Sequence, residues 1–186
     1  MKIHQIILFG ILTLLYSCSR PESSTIEFEG KKFELPIKVS EAKSSLELTY
    51  GHYLGFFSGN ENEILIQTQL EDYPLFMGSD NDSEESYYDQ YFAGITFFKA
   101  DAELDKVKSE LQKKYGREFK SKKKDFGVTR TLLPFNMTYY FIKSKEGFFV
   151  ALKEIERKPD LKKYVSISFY EGISESELGD YLEYVF

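Results

Sequence analysis

The fold class this sequence predicts is α+β: an antiparallel β-sheet of about six to eight strands, including a C-terminal three-strand meander, with two or three packed helices. Three observations predict it. Short segments of alternating polarity recur through the chain and close with three in succession. One segment after Asp101 repeats its apolar residues every three or four positions, as a helix buried on one side requires. The two kinds of segment follow each other without the regular alternation of a parallel sheet. Length and composition permit such a domain, since 186 residues with 42% hydrophobic and 29% charged can enclose a core. A chain of this size buries roughly 68–70% of its unfolded surface and needs no disulfide or metal to hold it. Its single Cys allows no internal disulfide.

Ile26-Glu27-Phe28 and Phe33-Glu34-Leu35 flank Glu29-Gly30-Lys31-Lys32, the pattern of a hairpin with Gly30 in the turn, and Pro36 ends it. Ser40 is placed to cap a short helix through Tyr50, with Gly51 past its end. From Glu63 to Leu70, Ile64, Ile66, Thr68 and Leu70 share one face and Gln67 and Gln69 the other, which predicts a half-buried strand. Tyr91 to Lys99 is another strand. Asp101 follows as an N-cap for a helix whose Leu104, Val107, Leu111 and Tyr115 form one stripe, opposite Glu103, Lys106, Glu110 and Lys114; Gly116 stops it. Met137, Tyr139 and Phe141 alternate with Thr138, Tyr140 and Ile142. A turn at Gly147 leads to Phe148–Leu152, and one at Pro159-Asp160 leads to Val165, Ile167 and Phe169, completing the meander. Ser174 and Glu177 have the spacing of a capping box before a closing helix with Leu178, Leu182 and Val185. Ser45–Gly51 and Ser109–Gly116 echo each other weakly, with spacing that differs by one residue.

The N-terminus places the protein. Lys2 precedes an apolar run from Ile6 to Leu15, followed by Tyr16-Ser17-Cys18. Ten apolar residues make a helix roughly 15 Å long, half of what a bilayer core of about 30 Å demands. This is the layout of a signal peptide rather than of a lasting membrane span. Leu15-Tyr16-Ser17-Cys18 resembles the lipobox of bacterial lipoproteins: an aliphatic residue, a variable one, a small one and an obligatory Cys. Tyr16 is bulkier than the family's usual residue. The resemblance implies that the thiol of Cys18 receives a diacylglycerol, that the chain is cut after Ser17, and that the new amino group is acylated. Several acyl chains, at about 0.8 kcal/mol per buried methylene, hold a protein on a membrane. Ser19 is not the aspartate that marks inner-membrane retention in that family, so the resemblance leans to the outer membrane of a Gram-negative envelope. The expected organisation is a signal peptide over 1–17, an acylated Cys with its polar tether over 18–25, and one α+β domain over 26–186.

Chemistry is scarce beyond that point. A net charge of −6, or −7 once residues 1–17 and their single Lys are gone, argues against nucleic acid as partner. His52 is the one histidine after the signal segment, and no nucleophile elbow, phosphate loop, dinucleotide fingerprint or HExxH is present. Carboxylate pairs such as Glu61 and Glu63 are commonplace among thirty acidic residues. No cofactor, no metal and no enzymatic activity are expected. Asp80, Asp82, Glu84, Glu85 and Asp89 begin like a calcium loop, but Glu85 stands where its turn glycine belongs and Tyr91 where its bidentate Glu belongs. A basic stretch runs from Lys113 through Lys114, Arg117 and Lys120 to Arg130, and its Lys122, Lys123 and Lys124 form a candidate patch for anionic lipid headgroups.

Aromatic doublets are the least ordinary feature: Phe56-Phe57, Tyr87-Tyr88, Tyr91-Phe92, Phe97-Phe98, Tyr139-Tyr140 and Phe148-Phe149. On a strand, neighbours point to opposite faces, so each doublet asks for a sheet covered on both sides or for one displaying rings. Tyr87, Tyr88 and Tyr91 are the candidate binding surface. The reading that fits all of this is a lipid-anchored envelope protein with a non-enzymatic binding or accessory role and a protein partner in the envelope. The alternatives are an immunity-type inhibitor of an exported toxin and a carboxylate-based hydrolase of envelope glycan or peptide.

Overall fold

Seven consecutive residues, Phe92 to Phe98, are buried, and a strand can do that only with strands on both edges and cover on both faces. The computed structural model describes residues 23–51, 55–59, 64–70, 83–126, 135–157 and 162–183, and in it this segment is the central strand of an α+β fold. Residues 1–22, His52, Glu61, Glu63, Asp80, Asp82, Arg130, the Pro159-Asp160 turn and Val185 lie outside the described residues.

The elements in chain order are β1 (Ser24–Phe28), β2 (Lys31–Leu35), β3 (Ile37–Lys38), α1 (Val39–Ser45), β4 (Thr49–Gly51), β5 (Gly55–Gly59), β6 (Ile64–Leu70), a 3₁₀ turn (Glu84–Tyr87), β7 (Tyr91–Ala100), α2 (Leu104–Tyr115), β8 (Lys120–Phe126), β9 (Phe135–Lys143), β10 (Phe149–Arg157), β11 (Lys162–Tyr170) and α3 (Leu178–Glu183). The described strand pairs are antiparallel, in the order β4-β5-β6-β7-β11-β10-β9-β8, with β3 beside the start of β7. The expected meander is β9-β10-β11. The expected first hairpin, β1-β2, is a sheet of its own, turned by Glu29 and Gly30 at φ 50° and 74°.

Across β7, β9, β10 and β11 both faces of the large sheet are covered, which answers the doublets of those strands. On one face Phe92, Ile95, Phe97, Val165, Ile167 and Phe169 meet the hairpin's Ile26, Phe28, Phe33 and Leu35, Val39 and Ala42 of α1, and Val107 and Leu111 of α2. Phe169 is the hub: its ring lies 5.2 Å from Phe28, 6.0 Å from Phe33 and Phe97, and 6.3 Å from Phe148. Such pairs add about 0.5–1.5 kcal/mol each to what burial alone provides. On the other face Phe98, Tyr139, Phe141, Phe149 and Tyr170 pack under Leu178 and Leu182 of α3. Phe97-Phe98 and Phe148-Phe149 each send one ring to either core.

A β-bulge adjusts this division. Gln69 pairs with Gly94 but Leu70 with Phe92, so β7 carries one extra residue and Phe92 rejoins the face of Ile95 and Phe97. Gly94 beside the bulge lies under the ring of Tyr170: a Cβ there would sit 2.2 Å from Cε1 and 2.3 Å from Cδ1.

Three expected boundaries move. The helix anticipated from Ser40 to Tyr50 starts at Val39 and ends at Ser45, and Tyr50 and Gly51 lie in β4. The hydroxyls of Ser44 and Ser45 donate back to the carbonyl of Glu41, a habit that weakens helices, and Glu47 turns left-handed at φ 53° while the Leu48 N–H bonds the Lys43 carbonyl. Asp101 is not the N-cap of α2. Its N–H is held by the Lys163 carbonyl at 3.0 Å and its φ is 54°, so it finishes β7 and the helix begins three residues later behind Glu103. Gly116 does end α2, at φ 63° with its N–H on the Gln112 carbonyl. The echo between Ser45–Gly51 and Ser109–Gly116 is no repeat, since the first straddles a helix end and a strand and the second is helical until Gly116. Of the capping box, the reach of Glu177 back to the Ser174 N–H is present at 2.7 Å, with α3 starting at Leu178.

Candidate functional site

The tyrosines singled out in the sequence gather where β3, α1 and the 3₁₀ turn meet the first residue of β7. Backbone bonds make the junction: Val39 N–H to Gln90 O at 3.0 Å, Ser40 N–H to Tyr88 O at 3.4 Å, and Lys38 opposite Tyr91 in register. Tyr87, Tyr88 and Tyr91 are each half-buried. The ring of Tyr87 lies 5.7 Å from that of Tyr50, and Tyr87 and Tyr88 pack against the core. Lys43 donates to the Tyr88 hydroxyl at 3.3 Å, stands 5.5 Å from its ring centroid and pairs with Glu84, and these hydrogen bonds, Glu84 first, raise its pKa above the usual lysine value. Lys38 pairs with Asp89 at 3.3 Å and lies 6.0 Å from the Tyr91 ring. The result is a cluster of half-buried tyrosine rings, two of them beside lysines; the rings, not the lysines, are the side chains enriched where proteins dock.

Two members of the acidic segment are thus matched to lysines: Glu84 to Lys43 and Asp89 to Lys38. Among the described residues no three His, Cys, Asp or Glu side chains stand together as a metal site.

The lysines of β8 alternate as a strand dictates. Lys122 and Lys124 face α3, where Lys122 pairs with Glu175 at 2.9 Å and Lys124 with Asp180, and Lys120 joins Glu175 at 3.6 Å. Glu175 is held below the usual carboxylate range, first by the hydrogen bond from Lys122. Lys123 points the other way and is exposed. Of the three candidate headgroup lysines, two therefore serve the helix.

Two groupings lay beyond sequence reasoning. A recess of about 600 Å³ opens where β1 begins, lined by Ser23, Ser24, Thr25, Glu146 and Glu171. The Ser24 hydroxyl donates to the Glu146 carbonyl at 3.3 Å. The Glu146 carboxyl is held below its ordinary range, first by its own backbone N–H and then by the Ser144 hydroxyl. Glu171 Oε2 and the Tyr115 hydroxyl are buried without a hydrogen-bond partner among the described residues, and burial pushes the Tyr115 pKa up to about 12. Hydroxyls beside two carboxylates suit a polar or cationic group. No motif signals this, because the five residues come from three distant segments.

The second grouping is polar and buried beneath α3. Thr96 and Ser168 hydroxyls lie 2.8 Å apart with the fully buried Tyr170 beside them, and desolvation drives the Tyr170 pKa upward. Ser166 donates to the Lys153 carbonyl at 3.1 Å, and Lys153, 9% exposed, donates to the Leu182 carbonyl at 2.8 Å. Burial brings the Lys153 pKa down to about 8 against the opposing charge of Glu183. Ser166 and Ser168 alternate with Val165, Ile167 and Phe169, the pattern of a half-exposed strand, and Leu178 and Leu182 of α3 make the serine face an inner one.

Set against models of protein families, curated proteins and solved structures, the chain matches none.

Proposed function

We propose that this is a lipid-anchored protein of a Gram-negative envelope, on the outer membrane, whose domain binds a protein partner rather than catalysing a reaction. One observation carries the anchor: Cys18 stands directly behind an apolar run and a small residue, and β1 begins only six residues later at Ser24. The five residues between them, 19–23, reach roughly 17 Å when extended, so the domain works close to the lipid. The binding role is supported by the tyrosine surface of Tyr50, Tyr87, Tyr88 and Tyr91: Lys38 lies against the Tyr91 ring, Lys43 against Tyr88, and Tyr50 and Tyr87 against each other, so these rings lose little freedom on docking. Tyrosine joins apolar area to a hydroxyl, which suits such a surface.

Mass spectrometry of the N-terminal peptide from purified membranes tests the anchor. A diacylglyceryl thioether on Cys18 is expected, and a free thiol on a chain still carrying Met1 overturns it. Crosslinking in intact envelopes followed by purification tests the binding role. A reproducible partner that is lost on combining Tyr87→Ser with Tyr91→Ser is expected; no partner, or one retained by that variant, overturns the role given to this surface.

A further inference from the structure

Strand register places the tyrosines at the same end of the domain as the tether. Ser24, the first residue of β1, pairs with Leu35, and three residues further on Lys38 pairs with Tyr91, so Ser24 and Tyr91 lie within about 20 Å of each other. The Ser24 hydroxyl on the Glu146 carbonyl brings the β9-β10 turn to that end, and the Ser40 N–H on Tyr88 O brings the start of α1. From Tyr91 to Ala100 the ten residues of β7 run roughly 30 Å. At the far end lie the β1-β2 turn, with Glu29 paired to Lys99, and the start of α2. If that far end rested on lipid, Ser24 would stand about 30 Å away from it, out of reach of a tether of about 17 Å. The end with the tyrosines is therefore the one held near the membrane.

We propose, on the anchor and the tyrosine surface inferred above, that this surface docks a loop bearing Lys or Arg that projects from a protein resident in the same membrane. Two observations choose this occupant. Between the tyrosine end and the lipid the tether leaves at most about 17 Å, whereas twice the radius of gyration of a 100-residue domain is already about 26 Å. A loop rising from the bilayer has room in that gap, and a free folded domain does not. The second observation is charge. Around the rings Glu41, Glu85 and Asp89 are exposed and Glu84 is half-buried, against two half-buried lysines, Lys38 and Lys43. This local excess of carboxylates draws a basic partner and opposes contact of the rings with anionic headgroups. An arginine suits the surface best, because its planar guanidinium stacks on a tyrosine face while it pairs with a carboxylate. Confinement of both proteins to one membrane raises their effective concentration, so a small contact is enough.

The orientation is read on the purified, lipidated protein in vesicles of phosphatidylethanolamine and phosphatidylglycerol whose headgroups carry an energy-transfer acceptor. A donor on Ser40→Cys should transfer at least about twofold more efficiently than one on Asp105→Cys, which lies at the far end of the roughly 30 Å span. Equal transfer, or more from residue 105, overturns the proposal. The partner is read in cells with a photoreactive phenylalanine at position 88. The probe should crosslink to a protein that stays with carbonate-washed membranes prepared from cells lacking this chain, as an integral protein does. Glu85→Lys should lower the crosslink yield at least about fivefold, and Glu85→Gln should lower it less. A partner that washes off, crosslinks to lipid alone, no crosslink, or a yield unchanged by Glu85→Lys overturns the proposal. Failure of the earlier reading looks different: an unmodified Cys18 removes the anchor itself. A soluble partner that is lost on combining Tyr87→Ser with Tyr91→Ser leaves anchor and surface standing and removes only the membrane-resident loop.

Discussion

Replacing Gly94 with alanine places a methyl carbon 2.2 Å from Tyr170 Cε1 and 2.3 Å from Cδ1, where carbon atoms ordinarily stay about 3.5–4.0 Å apart. The ring has to retreat by more than about 1 Å. It has nowhere to go: Tyr170 is fully buried, the Tyr181 ring lies behind it at 5.6 Å, and its hydroxyl sits with those of Thr96 and Ser168. Overpacking of this kind costs about 3 kcal/mol, the upper end of the usual range. Elsewhere in a strand the same substitution should stabilise by roughly 0.5–1 kcal/mol, so even the sign is informative. Urea unfolding followed by tyrosine circular dichroism measures the cost, and the melting temperature should drop by about 6–12 °C. Tyr170→Ala alone should cost about 3–5 kcal/mol through the cavity it leaves. With the ring gone the methyl group has room, so Gly94→Ala with Tyr170→Ala should be no less stable than Tyr170→Ala by itself. Additive losses would refute the close approach as the reason for glycine at this position.

The other predictions concern caps, charges and pH. Gly116→Ala should lose about 1 kcal/mol in the same assay because residue 116 is held at φ 63°, and Gly116→Asn should lose less. Tyr115 and Tyr170 keep their protons in the folded protein to higher pH than in the unfolded chain, so their contribution is whole below pH 10 and is lost above it; Tyr115→Phe should flatten part of that decline in urea midpoints. Lys153 works in the opposite sense. Its folded pKa is depressed, so the unfolded chain binds the proton more tightly between about 8 and 10.5, stability rises with pH across that window, and Lys153→Met should flatten that rise in urea midpoints. Lys122→Gln with Lys124→Gln should change global stability by less than about 1 kcal/mol, since both ion pairs are partly open to solvent; a larger loss in urea unfolding would mean that they do more than position α3.

Elements with a strong period were legible in the chain alone. α2 and the β9-β10-β11 meander need only a count of apolar spacing, β7 shows as a nearly unbroken apolar run, and Gly30 and Gly116 mark a turn and a helix end because no other residue adopts those backbone angles as cheaply. Elements decided by local competition were not. Ser44, Ser45 and Thr49 are weak helix formers and count against a helix running to Tyr50, but nothing in Ser40–Gly51 says that Thr49–Gly51 would be claimed by β5; a strand partner outweighs a modest helical preference. Asp101 reads as a cap until the Lys163 carbonyl is known to hold its N–H.

The candidate sites divide in the same way. The proposed anchor at Cys18 rests on its neighbours in the chain alone, Leu15-Tyr16-Ser17, and the tyrosines at 87, 88 and 91 lie close enough in sequence to be noticed together. Their partners Lys38, Lys43 and Tyr50 could not be named in advance, nor could the pairing of Lys122 and Lys124 with Glu175 and Asp180. Periodicity reports which side of a segment is apolar and stays silent on what comes to cover it. Composition and spacing therefore settle that this chain makes an antiparallel sheet with helices, and where its rings point. Whether Ser166, Ser168 and Lys153 meet water or the underside of α3 depends on contacts between residues far apart in the chain, and those contacts set the charge a buried amine can carry.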